Sequence, residues 1–335
     1  VIGYLSASTE WGQLFDHPAS LSKWWKTAEF RSYYFIGKDN IPFHAIIWPG
    51  ELIGVGTTFD ELRNSPNPAT LVLPYDVPAN EFMNLEGQKI SGSRNWAVWA
   101  RDFLTRYDPD PLRYYLTVAM PESKDTDWDW EDFYKRNNDE LVATWGNLAN
   151  RVLAFTYKHW DGQIPDPGEL TDIDRELIAT VDEGFQTVGA ELEAVHLRAA
   201  LNEAMRLAGE VNRYLDITAP WQAIKTNRTE AARAVFTALR AINSLKILLS
   251  PFLPFTSEKL HRIMGYDQPL FGAQKVQQVT DSLGEHTVLT YDATPATGTW
   301  QPAEIQPGQV LHQPVPLFRK LEPKIIEEER ARLGS

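Results

Sequence analysis

The sequence contains no cysteine, which excludes a disulfide framework and a thiolate zinc site. No apolar run approaches the roughly 20 residues that a membrane-spanning helix needs. Basic residues are outnumbered, since 32 Lys and Arg face 45 Asp and Glu, and the net charge of −13 opposes non-specific binding to nucleic acid. These features predict a globular cytoplasmic protein with no membrane partner. Any contact with RNA then depends on local cationic patches, stacking and shape.

The first residues, Val1-Ile2-Gly3-Tyr4, include no initiator Met and no leader of basic and then apolar residues. They have the composition of a domain interior, so we expect the chain to be part of a longer protein. Its 335 residues suffice for two or three domains, each with its own core. Twelve Trp is a high number for this length, and most are expected in the core.

The amino-terminal residues have the pattern of an α/β domain. Residues 33–39 are predicted to form a buried strand that ends at a glycine turn, and residues 43–48 begin a helix or a second strand. Ligands of α/β sheets lie at the carboxyl ends of strands, and Asp39, Asn40 and His44 follow such an end. A lone histidine is more often a satisfied core residue, but the neighbouring Asp39 and Asn40 favour a ligand site.

Residues 85–99 contain a short polar segment that disfavours regular structure. It comprises Lys89, Ile90, Ser91, Gly92, Ser93 and Arg94. Gly87 and Gly92 make helix and strand unfavourable and indicate a mobile loop. Backbone N–H groups of such a loop, with a lysine beside them, are able to wrap an oligophosphate. On composition alone, a solvated surface loop is the simpler interpretation.

Local patterns predict four more elements before residue 132. Residues 71–78 are predicted as a short strand interrupted by prolines, residues 96–107 as a core-facing helix, and residues 111–116 as a strand or a first helical turn. The acidic and aromatic residues 125–131 suggest paired carboxylates for a metal or for acid–base chemistry. A capped, solvated helix start is the better interpretation.

From about Glu131 the apolar spacing becomes that of helices. Amphipathic helices are predicted over residues 141–155, 173–188, 197–215 and 235–249. Thr171 and Asp174 have the spacing of a capping box that opens the second of these helices. Pro251 and Pro254 end the last. Because the connections are short, an antiparallel bundle is expected.

The carboxy-terminal segments are predicted to lack strands. Residues 265–298 are rich in Gly, Gln and Thr and are expected to be irregular. Residues 309–321 are apolar with prolines and are expected to form an extended strap that packs on the other domains. Residues 325–333 are predicted as a charged terminal helix, in which the acidic and basic run 327–332 is a solvated face.

Several stretches resemble the methionyl-tRNA synthetase family of class I aminoacyl-tRNA synthetases. Residues 35–44 resemble the segment that lines its methionine pocket. Residues 89–93 resemble its Lys-Met-Ser-Lys-Ser signature loop, and residues 110–116 resemble the segment on the carboxy-terminal side of that loop. Residues 138–151, together with residues 219–221, resemble its anticodon-binding bundle.

The resemblance implies roles for individual residues. The residues that it implies for methionine binding are Tyr4, Phe43, His44 and Asn40. The residues that it implies for ATP are Asp39, Lys89 and Gly92, and those of the catalytic loop are Lys89, Ser91, Gly92, Ser93 and Arg94. The chain departs from the family at Asn40, where an aliphatic residue is frequent, so the role of Asn40 stays open. It departs again at Gly92, which replaces the second lysine of the signature.

In the family, the signature lysines stabilise the phosphates of ATP while the methionine carboxylate attacks the α-phosphate. Losing one charge aimed at the phosphates is expected to slow such a step on the order of 10²-fold or more. Here Lys89 remains, and Arg94 is a candidate to share its task. The departure at Gly92 therefore bears on the strength of adenylation and not on the resemblance itself.

The resemblance of the helical half implies that Asn147, Arg151 and Trp221 read the CAU anticodon of tRNA-Met. Unpaired bases are recognised by stacking on aromatic rings and by hydrogen bonds to their edges. Asn147 and Arg151 are four residues apart and share a helix face. Without the flanking match, a core Trp and two surface polar residues are the simpler interpretation.

The implied substrates are methionine, tRNA-Met and ATP with Mg²⁺, and no zinc site is expected. The His-Ile-Gly-His element of the family's ATP site is not found among the seven histidines. We therefore expect the preceding catalytic half to lie in the same longer protein or in a separate chain.

The expected fold is α/β plus all-α. It combines the second half of a Rossmann-like catalytic domain and a stem-contact region with an antiparallel α-helical anticodon-binding bundle. The expected divisions are residues 1–80, 81–130, 131–265 and 266–335. The leading functional hypothesis is the carboxy-terminal part of a methionine–tRNA ligase. The alternatives are an anticodon-binding module that has lost adenylation chemistry and, last, an unrelated α/β enzyme with a helical scaffold.

Overall fold

The computed structural model describes residues 1–14, 24–56, 71–281 and 284–334. They form two compact units. The first, here called the sheet unit, comprises Val1–Lys89 and Met120–Asp127. The second, the helical unit, comprises Ile90–Ala119 and Trp128–Ser335.

The sheet unit is built from short elements. They are helix α1 (Gly3–Leu14), strand β1 (Ile36–Gly37), a 3₁₀ turn (Lys38–Asn40), a π-helical turn (Phe43–Ile47), helix α2 (Trp48–Gly56), strand β2 (Ala79–Asn80) and strand β3 (Met83–Leu85). Strands β1 and β2 are parallel, with Ile36 opposite Ala79. Helix α2 lies between them in the chain, so the connection has the β–α–β order of a Rossmann-like sheet.

The core of the sheet unit is aromatic. Trp48 and Leu52 of α2 are fully buried, and Trp25 meets the Trp48 ring edge-on at 5.9 Å between centroids. The indole N–H of Trp48 donates to the Tyr34 hydroxyl at 2.8 Å. Because α2 buries these rings against residues 25 and 34, it fixes the chain on the amino-terminal side of β1.

The structure corrects two strand predictions in this unit and decides a third segment, for which helix and strand were both predicted. Of residues 33–39, only Ile36–Gly37 form a regular strand, and Phe35 is 58% exposed. Residues 43–48 begin a helix, not a second strand. The predicted strand 71–78 is replaced by strand β2 at Ala79–Asn80, because prolines lack the N–H that a ladder needs.

The remaining elements are mostly helical. Strand β4 is Thr126–Trp128. The helices are α3 (Ala100–Phe103), α4 (Pro109–Val118), α5 (Trp130–Arg136), α6 (Asn147–His159), α7 (Asp172–Glu193), α8 (Leu197–Thr218), α9 (Pro220–Ala223), α10 (Arg228–Leu248), α11 (Pro254–Ile263) and α12 (Ile325–Arg330). A 3₁₀ turn covers Gly92–Arg94, a π-helical segment covers Asn137–Gly146, and strands β5 (Ala273–Asp281) and β6 (Gly284–Asp292) follow α11.

Helices α7, α8 and α10 form the centre of the helical unit. Leu201, Leu239 and Ile242 are fully buried in one apolar core. Gly184 of α7 lies where this packing is tightest, since a Cβ there would meet the Leu207 side chain at 2.5 Å and that of Leu248 at 2.9 Å. The predicted helical bundle is confirmed, and the Thr171–Asp174 capping box is present as expected.

Helix predictions near the signature segment need correction. Of residues 96–107, only Ala100–Phe103 are helical. Trp96 is instead held extended, because it exchanges two backbone hydrogen bonds of 2.9 Å with Ser91. Residues 111–116, predicted as a strand or a first helical turn, belong to helix α4. Pro254, predicted to end a helix, opens α11, since proline is well tolerated at a first helical position.

The irregular structure predicted for residues 265–298 is wrong for most of that stretch. Strands β5 and β6 form an antiparallel hairpin of nine residues each. Val276 and Leu289 lie opposite each other on it and are 73% and 62% exposed. Because this face carries no core, the usual alternation of buried apolar and exposed polar residues was weak, and the turn-forming composition dominated the prediction.

The extended strap of residues 309–321 is confirmed. Leu311, Phe318 and Leu321 are buried, and the Asn138 side chain both donates to and accepts from the backbone of Leu321, at 3.0 and 2.9 Å. The solvated face predicted for residues 327–332 is wrong at one position. Glu329 is 3% exposed.

Glu329 of α12 is buried because it is paired. Its carboxylate accepts two hydrogen bonds from Arg106, at 2.7 and 2.8 Å, and one from the Tyr107 hydroxyl at 2.9 Å. A buried carboxylate needs such partners to offset its desolvation. The terminal helix is therefore anchored within the helical unit by an ion pair that its charged sequence conceals.

Candidate functional site

Tyr4 and His44 form a hydrogen-bonded pair in the sheet unit. The Tyr4 hydroxyl lies 2.9 Å from His44 Nε2, and His44 Nδ1 lies 3.0 Å from the carbonyl oxygen of Asn40. Since the carbonyl only accepts, Nδ1 carries the proton and Nε2 accepts from Tyr4. Both ring nitrogens of the buried His44 are thus engaged, so it orients Tyr4.

An open cavity of about 370 Å³ lies beside Tyr4. Its walls are mostly aromatic and are made by Tyr4, Trp25, Phe30, Ser32, Tyr33, Tyr34 and Phe35. Phe43 and Asn40, both proposed from the resemblance, are exposed and do not line it. The aromatic residues 25–35 were not identified as a site from the sequence, although the density of Trp and Tyr there was a usable signal.

Two cations share the ring of Phe82 in the sheet unit. Lys38 Nζ lies 4.5 Å and Lys89 Nζ 5.8 Å from its centroid. Lys38 also pairs with Glu81 and with Asp125. The hydrogen bond with Glu81 raises the pKa of Lys38. Asp39 lies in the 3₁₀ turn that follows β1 and is exposed. Lys38 was not identified from the sequence.

The signature segment contributes its second part to the helical unit. Ser91 and Trp96 close a tight turn through paired backbone hydrogen bonds. Inside it, the Ser91 and Ser93 hydroxyls are 3.3 Å apart. Arg94 ends a 3₁₀ turn that starts at Gly92. The segment is therefore a defined turn, and a Cβ at Gly92 would have open space around it except for the Trp99 ring at 3.4 Å.

Arg151 and Trp221 meet in the helical unit. The Arg151 guanidinium lies 4.3 Å from the centroid of the half-buried Trp221 ring, and Phe155 touches the same ring edge-on. One guanidinium N–H donates to Asn212 at 3.4 Å. The Nε atom of Arg151 is buried without a hydrogen-bond partner.

The backbone of residues 219–221 determines the position of Trp221. Ala219 has a left-handed φ of 37° and Pro220 opens the short helix α9, which carries Trp221. Asn147 begins α6 and is exposed one turn before Arg151. The arrangement unites a flat ring, a planar cation and an exposed amide, which are the groups that stack on and hydrogen-bond to an unpaired base.

Two kinds of feature are absent from the part of the chain that the structure describes. No group of three or more His, Asp or Glu side chains there is arranged to hold a metal ion. No helix of residues 1–14, 24–56, 71–281 or 284–334 has the length and apolar character to cross a membrane.

Two family models match the chain. The model for class I tRNA synthetases of the methionyl type matches residues 1–153. The model for the anticodon-binding domain of methionyl-tRNA ligase matches residues 164–294, which include the hairpin. The first model places residues 1–153 among the class I tRNA synthetases, and the two models together match more than half of the chain. The chain belongs to the methionyl-tRNA synthetase family.

Sequence relatives of the chain are methionine–tRNA ligases. The chain is 52% identical over 335 residues to the methionine–tRNA ligase of Thermomicrobium roseum, covering 99% of the chain and 55% of that protein. It is 48% identical to the ligase of Chloroflexus aggregans, covering 100% of the chain and 56% of the relative. The chain thus spans about half the length of these relatives.

The Mycobacterium tuberculosis methionyl-tRNA synthetase bound by methionyl-adenylate shares the fold. It superposes with a TM-score of 0.68 over 87% of this chain and 50% of that one, at 23% identity. The free form of the same synthetase gives a TM-score of 0.67.

Proposed function

We propose that this chain is the carboxy-terminal part of a cytoplasmic methionine–tRNA ligase. The whole enzyme would join methionine to tRNA-Met through methionyl-adenylate. The observation that carries the proposal is the presence, in one chain of this family, of a lysine-bearing signature turn and of an Arg–Trp pair beside the matched anticodon-binding region. The proposed divisions are residues 1–80, 81–130, 131–265 and 266–335.

For methionine, the proposal uses the aromatic cavity beside Tyr4. A flexible, polarizable thioether packs well against aromatic rings, and Tyr4 is held in place by His44. Phe43, half exposed, and Asn40 stand near His44 in the chain and are proposed to complete the pocket in the whole enzyme.

For ATP, bound with Mg²⁺, the proposal assigns Asp39 to the adenosine side and Lys89 and Arg94 to the phosphates. The methionine carboxylate attacks the α-phosphate, a P–O bond forms, and pyrophosphate leaves with the bond to it broken. The chain's part in this step is to stabilise accumulating negative charge. Ser91, Gly92 and Ser93 shape the turn that carries Arg94 and that follows Lys89 in the chain.

For tRNA, we propose that a base of the CAU anticodon stacks against the Arg151–Trp221 pair while Asn147 contacts a base edge. A net charge of −13 favours such local recognition over general attraction to RNA.

The replacement of a signature lysine by Gly92 favours one alternative, an anticodon-binding module without adenylation chemistry. The two functions differ in one experiment. Methionine-dependent exchange between ATP and pyrophosphate, with the preceding catalytic half supplied, is expected for the ligase and is absent for the module.

Trp221→Ala is expected to weaken binding of an anticodon stem–loop bearing CAU by about 10- to 100-fold. Loss of one stacked base costs about 1–3 kcal/mol, and Arg151 loses its platform as well. Fluorescence anisotropy at fixed salt measures the effect. The matched control is Tyr157→Ala, which removes an exposed aromatic from the same helix as Arg151. Equal affinities for wild type and Trp221→Ala, or for CAU and an altered anticodon, would contradict the assignment.

A further inference from the structure

A second cavity, of about 600 Å³, lies in the helical unit, and neither Arg151 nor Trp221 lines it. It is bordered by Asn243 and Lys246 of α10, by His261 of α11, by Tyr266, and by residues 297–304 after the hairpin. The proposed ligase function assigns it no role. Its wall contains a lysine that is 1% exposed, which is an unusual place for an amine.

Neutral groups hold the Lys246 amine. Its Nζ atom lies 2.7 Å from Asn243 Oδ1 and 2.9 Å from His261 Nδ1. His261 Nε2 faces the carbonyl oxygen of Gln268 at 3.1 Å, so Nε2 carries the proton and Nδ1 accepts from the lysine. An uncharged amine has two N–H groups and one lone pair. The two acceptors therefore satisfy both N–H groups of neutral Lys246.

No carboxylate among the described residues forms an ion pair with Lys246. Glu258 affects Lys246 only through its charge, without a hydrogen bond. Its carboxylate accepts from the backbone N–H of Leu270 and pairs with Arg262. Burial lowers the pKa of Lys246 to about 7. Burial and the nearby lysine also lower the pKa of His261, to about 4.

Two other carboxylates line the cavity, and neither forms an ion pair with the Lys246 amine. Glu304 is engaged by Arg240 at 2.8 Å, and Asp267 borders the opening without an ion pair to Lys246. The Tyr266 ring lies 4.6 Å from Nζ and is stacked flat on the His261 ring at 4.3 Å. A desolvated amine in these surroundings is a nucleophile close to neutral pH.

We propose that Lys246 is a covalent binding site for small aldehydes that enter this cavity. The Nζ lone pair attacks the carbonyl carbon, a C–N bond forms, and the carbonyl oxygen takes up the proton that the nitrogen gives up. The resulting carbinolamine loses its hydroxyl together with the second N–H proton as water, which leaves a C=N bond. No oxidant or reductant is needed. The polar residues Thr297, Thr299 and Gln301 on the cavity wall favour short, hydroxylated aldehydes.

Reductive trapping with glycolaldehyde tests the proposal on the whole chain. The protein is incubated at pH 7 with glycolaldehyde and cyanoborohydride, and labelled lysines are quantified by peptide mass spectrometry. We expect Lys246 to be labelled at least about tenfold faster than the exposed Lys225 and Lys259, because a desolvated amine is a nucleophile close to neutral pH. Its rate should level off above about pH 8, whereas those of exposed lysines keep rising.

A cavity-filling variant provides the second measurement. Thr299→Trp places a ring in the cavity and is expected to slow labelling of Lys246 about tenfold or more without changing Lys225, while Thr299→Ser leaves both rates unchanged. Labelling of Lys246 no faster than Lys259, or a Lys246 rate that still climbs with pH up to 10, overturns the proposal. So does a Thr299→Trp variant, folded by circular dichroism, with an unchanged Lys246 rate.

Discussion

Lys89→Ala is expected to lower the rate of methionine-dependent ATP–pyrophosphate exchange by about 10²- to 10³-fold. That is the effect of removing one group aimed at charge that develops in a transition state. The effect should be large here because Gly92 stands where the family has its second lysine, so a single signature lysine remains. Exchange is measured on this chain joined to or supplemented with the preceding half of a family catalytic domain.

The KM for methionine should change little, because the aromatic cavity beside Tyr4 does not include Lys89. Lys124→Ala, which removes an exposed lysine of the sheet unit, is the matched control. A loss of less than about threefold on Lys89→Ala is far below the effect of one charge-stabilising group. It would indicate that other cations bind the phosphates. Failure of the wild type to exchange with methionine would instead favour the anticodon-binding module.

Gly92→Lys is expected to raise the exchange rate, since it restores the second lysine of the signature. The backbone permits the change, because position 92 has no left-handed φ and a Cβ there meets only the Trp99 ring at 3.4 Å. Gly92→Gln, of similar length without charge, is the control. An equal gain for lysine and glutamine would show that charge is not the cause.

The sequence was informative where one local rule decides the structure. Apolar spacing located α7, α8 and α10, and Thr171 with Asp174 located the start of α7. Trp221 and Arg151 were identified by resemblance, but their mutual contact depends on the turn at Ala219, whose left-handed φ no spacing predicts.

The structure at the other positions depends on contacts with residues that are distant in the sequence. Trp96 lies in a stretch with helical apolar spacing, yet two hydrogen bonds to Ser91 hold it extended. Glu329 has the sequence context of a solvated residue, yet Arg106, 223 positions away, pairs with it in the interior. Lys246 lies on a helix of regular apolar spacing, and only the approach of His261 and Tyr266 gives it an unusual environment. Tertiary contacts of this kind override local propensity.

Asp174→Ala is expected to destabilise the protein by about 3–5 kcal/mol, the cost of breaking a buried pair by removing one partner. Asp174 is almost fully buried. Its carboxylate accepts from the backbone N–H and the hydroxyl of Thr171, at 2.7 and 2.6 Å, and from the Tyr214 hydroxyl at 2.5 Å. It also pairs with Arg233 at 3.1 Å. Urea unfolding followed by circular dichroism measures the change.

Asp172→Ala separates the effect of a negative charge in the first helical turn from the buried contacts of Asp174. Asp172 stands at the first position of the same helix, but its side chain is fully exposed, so its loss is expected to cost no more than about 0.5 kcal/mol. Similar values for the two variants would mean that Asp174 acts only through the helix terminus. A large difference would identify the buried contacts of Asp174 with Thr171, Tyr214 and Arg233 as the main contribution. Since Asn212, which contacts Arg151, lies on α8 two residues from Tyr214, a loosened α8 should also weaken binding of the anticodon stem–loop, though less than Trp221→Ala does.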